Sequence, residues 1–251
     1  MTLDGLDPVL LLPALAAGAL VLASHVPLGL TVLARGILFL DLAIAQMAGL
    51  GAILVRAIGG EEAGPWLVQA GAVAAALLGA AFLHWREARQ PARQEAVIGV
   101  SFVVAACAAL LVMSHDPHGA EHLQDLLVGQ ILWSTWDSLL PLASITGLML
   151  GAWFGLGWRH SGRGFYLLFA LCITASVQVV GVYLVFASLV VPALAAGRGL
   201  LRGWLAGLAG YGLGLLASAL FDLPAGAAIV LALVAVSLLA QSSSSGQASS
   251  K

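Results

Sequence analysis

Long apolar stretches dominate this sequence, and they leave one class of fold open to it. Of the 251 residues, 61% are hydrophobic and only 9% are charged, whereas about 25% of the residues of a soluble domain carry a charge. A helix needs about 20 mainly apolar residues to cross a bilayer. The sequence therefore predicts an all-α polytopic membrane protein with about eight to nine transmembrane helices. Charges and Gly/Pro turns place these helices near residues 8–33, 36–57, 66–85, 96–113, 138–157, 165–179, 181–197, 203–221 and 225–240.

The run 165–197 is uninterrupted and too long for one span, and Gly181 is its only plausible break. Eight spans, or a re-entrant pair in this run, fit nearly as well as nine. Lys and Arg concentrate in cytoplasmic loops, and they favour two crossings here. If the first helix runs inward, Arg56 is the one exception among the ten basic residues. This pattern predicts an N-terminus outside and a cytoplasmic C-terminus. The residues that fall on the cytoplasmic side are Arg35, Arg86, Arg89, Arg93, Arg159, Arg163, Arg198, Arg202 and Lys251.

One stretch, residues 35–51, places polar side chains within a predicted membrane span. It holds Asp41 and Gln46 among apolar and small residues. A carboxylate within a membrane segment costs roughly 2.5–3.5 kcal/mol on insertion scales and marks a candidate functional site. Five residues correspond to a rotation of about 140° on a helix, so Asp41 and Gln46 flank a sector instead of sharing one stripe.

A predicted external loop, residues 114–126, is the second chemically rich place. It carries His115, His118 and His122 together with three carboxylates. Imidazole and carboxylate groups suit Zn²⁺ or Mn²⁺. Two interpretations remain open, a solvated polar loop and a loop that collects metal, because Pro117 and Gly119 exclude a regular helix through the histidines.

Several classes of function are excluded or disfavoured. The only lysine is Lys251, so no P-loop for ATP exists in the chain. The sequence contains no His-Glu-x-x-His and no Gly-x-Ser-x-Gly motif, which argues against an intramembrane hydrolase. A net charge of −2 gives no basic face for nucleic acid. We therefore predict a transport subunit without enzymatic activity and without a prosthetic group, in one domain (1–240) followed by a disordered polar tail (241–251).

Two further features have alternative interpretations. His25 lies in the first predicted helix, where hydrogen bonding to a neighbour and ligation are both open. The glycines at 203, 207, 210 and 214 form small-xxx-small pairs on one helix. They predict close helix packing, for which a homodimer interface is one use.

In order along the chain, five segments resemble the membrane permease subunit of bacterial zinc/manganese-type ABC importers. Each segment alone is a weak signal, but together they extend over nearly the whole sequence. The resemblance implies a homodimer of permeases in the lipid of the bacterial cytoplasmic membrane. It also implies an ATP-binding cassette subunit on the cytoplasmic side and a periplasmic metal-binding protein. The five segments are Pro27-Leu-Gly followed by Arg35–Gly51, Glu95-Ala-Val-Ile-Gly, Asp125-Leu-Leu-Val-Gly-Gln-Ile-Leu, Val180–Ala193 and Phe221-Asp-Leu-Pro-Ala-Gly226.

The chain departs from this family in two places. The family's second helix usually carries an Asp four residues before a His in the metal path, whereas here Gln46 takes the His position and Asp41 is displaced by one. The internal loop that docks on the ATPase in the family shrinks here to residues 157–164, with Arg159 and Arg163 as the candidate contacts.

The resemblance therefore implies a divalent metal permease, for zinc or manganese. In this function Asp41, Gln46, His115, His118 and His122 are the candidate metal ligands. The departures keep three alternatives open: an ATP-uncoupled metal facilitator, a structural membrane partner, and a permease for a metal chelate or another small solute.

Overall fold

The protein is all-helical in the part of the chain that the structure, a computed structural model, describes. This part comprises residues 8–60, 63–113, 129–158, 161–197 and 199–248, with side chains described as far as Gln241. Short 3₁₀ helices precede two of the α-helices, at Pro91–Arg93 and Ile131–Trp133. A π-helical turn, Gly151–Gly155, extends the fifth helix. Within these residues the α-helices are α1 Pro8–Arg35, α2 Leu40–Gly59, α3 Pro65–Glu87, α4 Gln94–Met113, α5 Trp136–Leu150, α6 Gly162–Val180, α7 Val182–Ala196, α8 Leu200–Phe221 and α9 Ala225–Ala248.

The helix lengths confirm a polytopic membrane protein. In the described ranges, seven helices are long and apolar enough to cross a membrane. Two shorter apolar helices, Val182–Ala196 and Ala225–Gln241, complete the nine predicted elements. α9 continues to Ala248, into the polar segment that the sequence assigns to a tail. The division into domain and tail and the orientation of the termini stay predictions.

Gly181 divides the long apolar run into α6 and α7, at the break that the sequence predicts. Its φ of 80° and ψ of 163° lie in a region that is open to glycine and closed to most other residues. The two helices that meet there have different neighbours. α6 packs mainly on α2, α3 and α5, whereas α7 packs mainly on α1, α8 and α9.

Contacts between helix ends define two ends of the bundle. At the basic end, Arg35 lies 3.8 Å from Glu87 and 4.4 Å above the ring of Phe165. Gln94 lies at the same end, where its Nε2 donates a hydrogen bond to the carbonyl oxygen of Leu83 at 2.9 Å. This end therefore gathers Arg35, the 86–93 segment and Arg163, as the charge pattern predicts. At the opposite end the C-termini of α2, α4 and α6 come together with the N-terminus of α3.

The glycine stripe of α8 is used inside the chain. Gly207 faces Leu22 of α1, and Gly210 and Gly214 face Leu233 and Ile229 of α9. Because glycine has no side chain, the helix axes can approach closely, and this is how small residues stabilise membrane helix bundles. The predicted close packing is therefore confirmed within one copy, and a contact between two copies needs another surface.

Replacing Gly214 with Ala is expected to lower the thermal unfolding temperature of the protein in detergent. A Cβ there would overlap the backbone of Ile229, and overpacking costs about 1–3 kcal/mol. Gly212 is the matched control on the same helix, because a Cβ there meets nothing within 4 Å. Ala at 212 should leave stability unchanged or raise it by up to about 1 kcal/mol through helix propensity. Equal shifts in the two variants would contradict this packing.

Candidate functional site

Asp41 lies in the first turn of α2, with its carboxyl group buried. The chain turns at Gly36, where φ is 68°, and α2 therefore begins only at Leu40. Asp41 is 1% exposed. The backbone N–H groups of this first turn have no carbonyl partner within the helix. The unpaired N–H groups and the helix dipole stabilise negative charge at such a position, which explains how the helix tolerates a buried carboxylate.

The location corrects one expectation. The sequence placed Asp41 within an apolar span from residue 36, but the carboxylate stands at the start of the helix, at the basic end. Oδ1 of Asp41 has no hydrogen-bond partner among the described residues. A buried acceptor without a donor is costly, so this oxygen is free to bind a proton donor or a cation.

Gln46 lies further along α2 and is half-buried. Five residues of helix place its Cα about 7.5 Å from that of Asp41 along the axis, on a different face. The structure therefore does not bring Asp41 and Gln46 onto one ligand. Gln46 shares its face with Ile53, seven residues later, which lines the cavity described next.

A cavity of about 770 Å³ lies at the opposite end of the bundle. It begins on α2 at Ala48 and extends to Arg56, and α3, α4 and α6 supply its other walls. Its polar lining consists of carboxamide, hydroxyl and guanidinium groups, from Gln69, Gln130, Gln178, Thr174 and Arg56. Along α2 the order is therefore Asp41, Gln46 and then the residues that line the cavity.

The described residues on either side of the histidine segment line this cavity. Met113 and Gly129, which both line the cavity, flank the segment 114–128. His115, His118 and His122 belong to that segment and lie outside the described residues, so their role stays a prediction. Within the described part of the chain, no three His, Cys, Asp or Glu side chains come together as a metal site.

A network of polar side chains joins three helices, α3, α4 and α6, at the basic end. Gln94 of α4 donates to Tyr166 of α6 at 3.1 Å as well as to the Leu83 carbonyl. His84 stacks 5.3 Å from the Tyr166 ring and lies 3.9 Å from Glu87. Sequence reasoning missed Gln94 because the 86–95 segment was interpreted as a membrane anchor, and it missed Tyr166 because this residue lies in the apolar run 165–197. Their signal is that both are polar groups at the start of a helix.

Glu95, beside Gln94, reaches across to α2. The backbone N–H of Phe39 donates to Oε1 of Glu95 at 3.4 Å, and Phe39 is the N-cap residue of α2 and has no side-chain cap of its own. Glu95 therefore supplies the cap from another helix. The sequence analysis used Glu95 only as part of the resemblance and gave it no role.

The candidate coupling segment is shorter than predicted. α6 begins at Gly162, capped by a hydrogen bond from Gly164 N–H to the Ser161 hydroxyl at 3.2 Å. Arg163 is exposed in this first turn, where the helix dipole disfavours a cation. Arg159 lies outside the described residues. Arg163 is therefore available to a partner, and nothing in its own helix stabilises its charge.

His25 is fully buried in α1. Its Nδ1 lies 3.0 Å from the Ser24 hydroxyl, and its Nε2 has no partner among the described residues. The helix that carries it, α1, packs mainly on α5, α7 and α8.

The described residues form a polytopic helical bundle with a buried acidic side chain and a cavity at one end. Comparison with family models makes the class specific: the description of the matching family is ABC 3 transport family, and the matched segments are residues 8–161 and 155–243. The chain belongs to this family and is a membrane transport subunit of it, not itself a catalytic enzyme.

Comparison with curated protein sequences finds no match. Among solved structures, the chain is similar to one described as PsaBC from Streptococcus pneumoniae in complex with Fab. The TM-score is 0.75 at 19% identity, with 96% of this chain and 95% of that chain covered. At this identity the likeness concerns the fold.

Proposed function

We propose that the chain is the permease subunit of an ATP-driven importer for a divalent metal ion, zinc or manganese, in the bacterial cytoplasmic membrane. The observation that carries the proposal is Asp41, a buried carboxylate with an unpartnered oxygen in a chain of a transport family. A dication is the cargo that such a group recognises. The ordered resemblance of five sequence segments to zinc/manganese permeases supports the same cargo.

In this function two copies of the chain alternate between states open to opposite sides. ATP binding in a separate cassette subunit shifts the population between them, which requires that subunit to bind the two states with different affinity. A periplasmic metal-binding protein delivers the ion to the cavity end. The ion passes Gln46, which offers a carbonyl oxygen, and reaches Asp41 at the basic end.

A second candidate is a facilitator that works without ATP. The short connection between α5 and α6 favours it, because residues 156–161 leave little room for a docking helix. Metal uptake that persists in a strain without any cassette ATPase partner would decide for the facilitator.

The test is purification of the full chain from its native membrane in a gentle detergent. We expect a cassette ATPase at about equal stoichiometry by mass spectrometry, and ATP hydrolysis by the reconstituted complex that Zn²⁺ or Mn²⁺ stimulates. Arg163→Glu should then reduce recovery of the ATPase, because it reverses an exposed charge at the basic end. Arg56→Glu, at the opposite end, is the control and should leave recovery unchanged. A complex whose ATPase activity and cargo uptake respond to neither metal would contradict the metal proposal.

A further inference from the structure

The end of α3 and the segment that connects it to α4 present three arginine side chains at the basic end of the bundle. Arg89 and Arg93 are exposed, and Arg86 is half-buried. In the part of the chain that the structure describes, none of the three forms an ion pair with a carboxylate. The acidic residues of the same segment, Glu87 and Glu95, are half-buried and contact other groups of the bundle. The exposed surface here therefore carries positive charge without a counter-charge.

An exposed tryptophan, Trp85, positions two of these arginines. The guanidinium carbon of Arg89 lies 4.1 Å from the centroid of the Trp85 ring, and that of Arg86 lies 5.9 Å from it. Arg86 also donates a hydrogen bond to Oε1 of Gln90, a neutral acceptor, at 3.0 Å. A cation–π contact holds a guanidinium group in place without neutralising its charge. Arg86 and Arg89 are therefore fixed beside one ring and still able to bind an anion.

The same face of α3 continues as an apolar stripe away from the arginines. Leu78, Phe82 and Trp85 are exposed, and their spacing of four and three residues places them along one side of the helix. The ring centroids of Phe82 and Trp85 lie 6.3 Å apart. The stripe extends over about 10 Å of helix. Because α3 is long and apolar enough to cross a membrane, acyl chains of lipid are what this stripe contacts.

We propose that the three arginines bind the headgroup of an anionic phospholipid whose acyl chains lie along this stripe. Guanidinium groups present paired N–H donors that match the oxygens of a phosphate. Basic residues at the membrane surface attract anionic lipids, and a tryptophan at the same level is typical of the interface between headgroups and chains. A zwitterionic lipid carries a cation beside its phosphate, and the unpaired arginines repel that cation. The proposal concerns the lipid around the bundle and does not depend on the cargo.

A general attraction between basic residues and an anionic membrane makes a different prediction about substitutions. That attraction depends on charge alone, so Arg163→Gln would lower the preference for anionic lipid as much as Arg89→Gln does. In a defined site the arginine that stacks on Trp85 contributes more. Arg163 is the matched control because it is exposed at the same end, in the first turn of α6.

The experiment counts the lipid molecules bound to the purified full-length chain in a neutral detergent, by native mass spectrometry. Phosphatidylglycerol and phosphatidylcholine with identical acyl chains are the probes. We expect the wild type to favour phosphatidylglycerol, and Arg89→Gln to lower that affinity about fivefold, the factor that corresponds to about 1 kcal/mol per basic residue near an anionic surface. Arg89→Lys should lie between the two, because it keeps the charge and loses the planar group that stacks on the ring.

The control and a competitor complete the test. Arg163→Gln should keep the wild-type preference, and inorganic phosphate at the lipid's concentration should not displace the lipid, because it has no chains to contact the stripe. Absence of a preference in the wild type, equal losses in Arg89→Gln and Arg163→Gln, or displacement by phosphate would overturn the proposal. An unchanged lipid preference in Arg89→Gln together with reduced recovery of a cassette ATPase would also overturn it, and would assign these arginines to a protein contact.

Discussion

Asp41→Asn is expected to reduce metal uptake by at least about a hundredfold while the protein still folds and reaches the membrane. Asn has nearly the same size and keeps a side-chain oxygen in the first turn of α2, so α2 should start as before. The charge is lost, and two unit charges 4 Å apart interact by about 4 kcal/mol at an effective dielectric constant of 20. A dication doubles this figure, and desolvation offsets part of it. Radioactive metal uptake into cells, normalised to permease in the membrane, is the measurement.

Asp137→Asn provides the matched control for this experiment. Asp137 is also a first-turn carboxylate, on α5, but it is exposed. Its replacement should leave uptake unchanged, because water satisfies both the native carboxylate and the amide. Normal uptake in Asp41→Asn would remove Asp41 from the transport route.

Gly129→Ala is expected to have the largest effect on stability. Gly129 has a φ of 69°, and a Cβ there would overlap backbone atoms of Val180 and Gly181. The left-handed conformation costs a residue with a side chain about 1–2 kcal/mol, and overpacking adds about 1–3 kcal/mol. Backbone atoms at the junction of α6 and α7 cannot move aside as a flexible side chain would. Thermal unfolding of the purified protein should therefore begin at a clearly lower temperature.

Gly157→Ala separates the two causes. Gly157 has a φ of 68°, but a Cβ there meets nothing within 4 Å, so only the conformational cost applies. We expect Gly157→Ala to cost less than half as much as Gly129→Ala. Equal losses would mean that the contact between residue 129 and the α6–α7 junction contributes nothing to stability.

Much of the fold follows from the sequence, because an apolar segment that crosses a bilayer must satisfy its backbone hydrogen bonds internally and does so as a helix. The predicted span near 66–85 corresponds to Pro65–Glu87, and the break at Gly181 is correct. The residues at which the helices begin and end are less predictable. α6 begins at Gly162, before the predicted residue 165, because the Ser161 cap and the helix geometry, which hydropathy does not register, decide where a helix starts.

The candidate site follows from the sequence only in part. The carboxylate of Asp41 stands out in any apolar segment, but its place in the first turn depends on the turn at Gly36. Glu95 and Gln94 belong to a charged loop in the sequence, and only the packing of α4 on α2 and α3 brings them to Phe39 and Leu83. The cavity joins four helices from distant parts of the chain, so no local pattern could have indicated it.

The two connections between groups of helices also bear on how the groups can move relative to each other. α2, α3, α4 and α6 pack mainly on one another, α7 packs with α1, α8 and α9, and α5 packs on both α1 and α6. The backbone crosses from one set to the other at Gly36 and at Gly181, both with positive φ, and these glycines lie at opposite ends of the bundle. Torsion at these two glycines would turn the two groups of helices relative to each other without bending any helix. At Gly181 the close backbone contact with Gly129 opposes such a turn, so Gly36, where a Cβ would meet nothing within 4 Å, is the freer of the two connections.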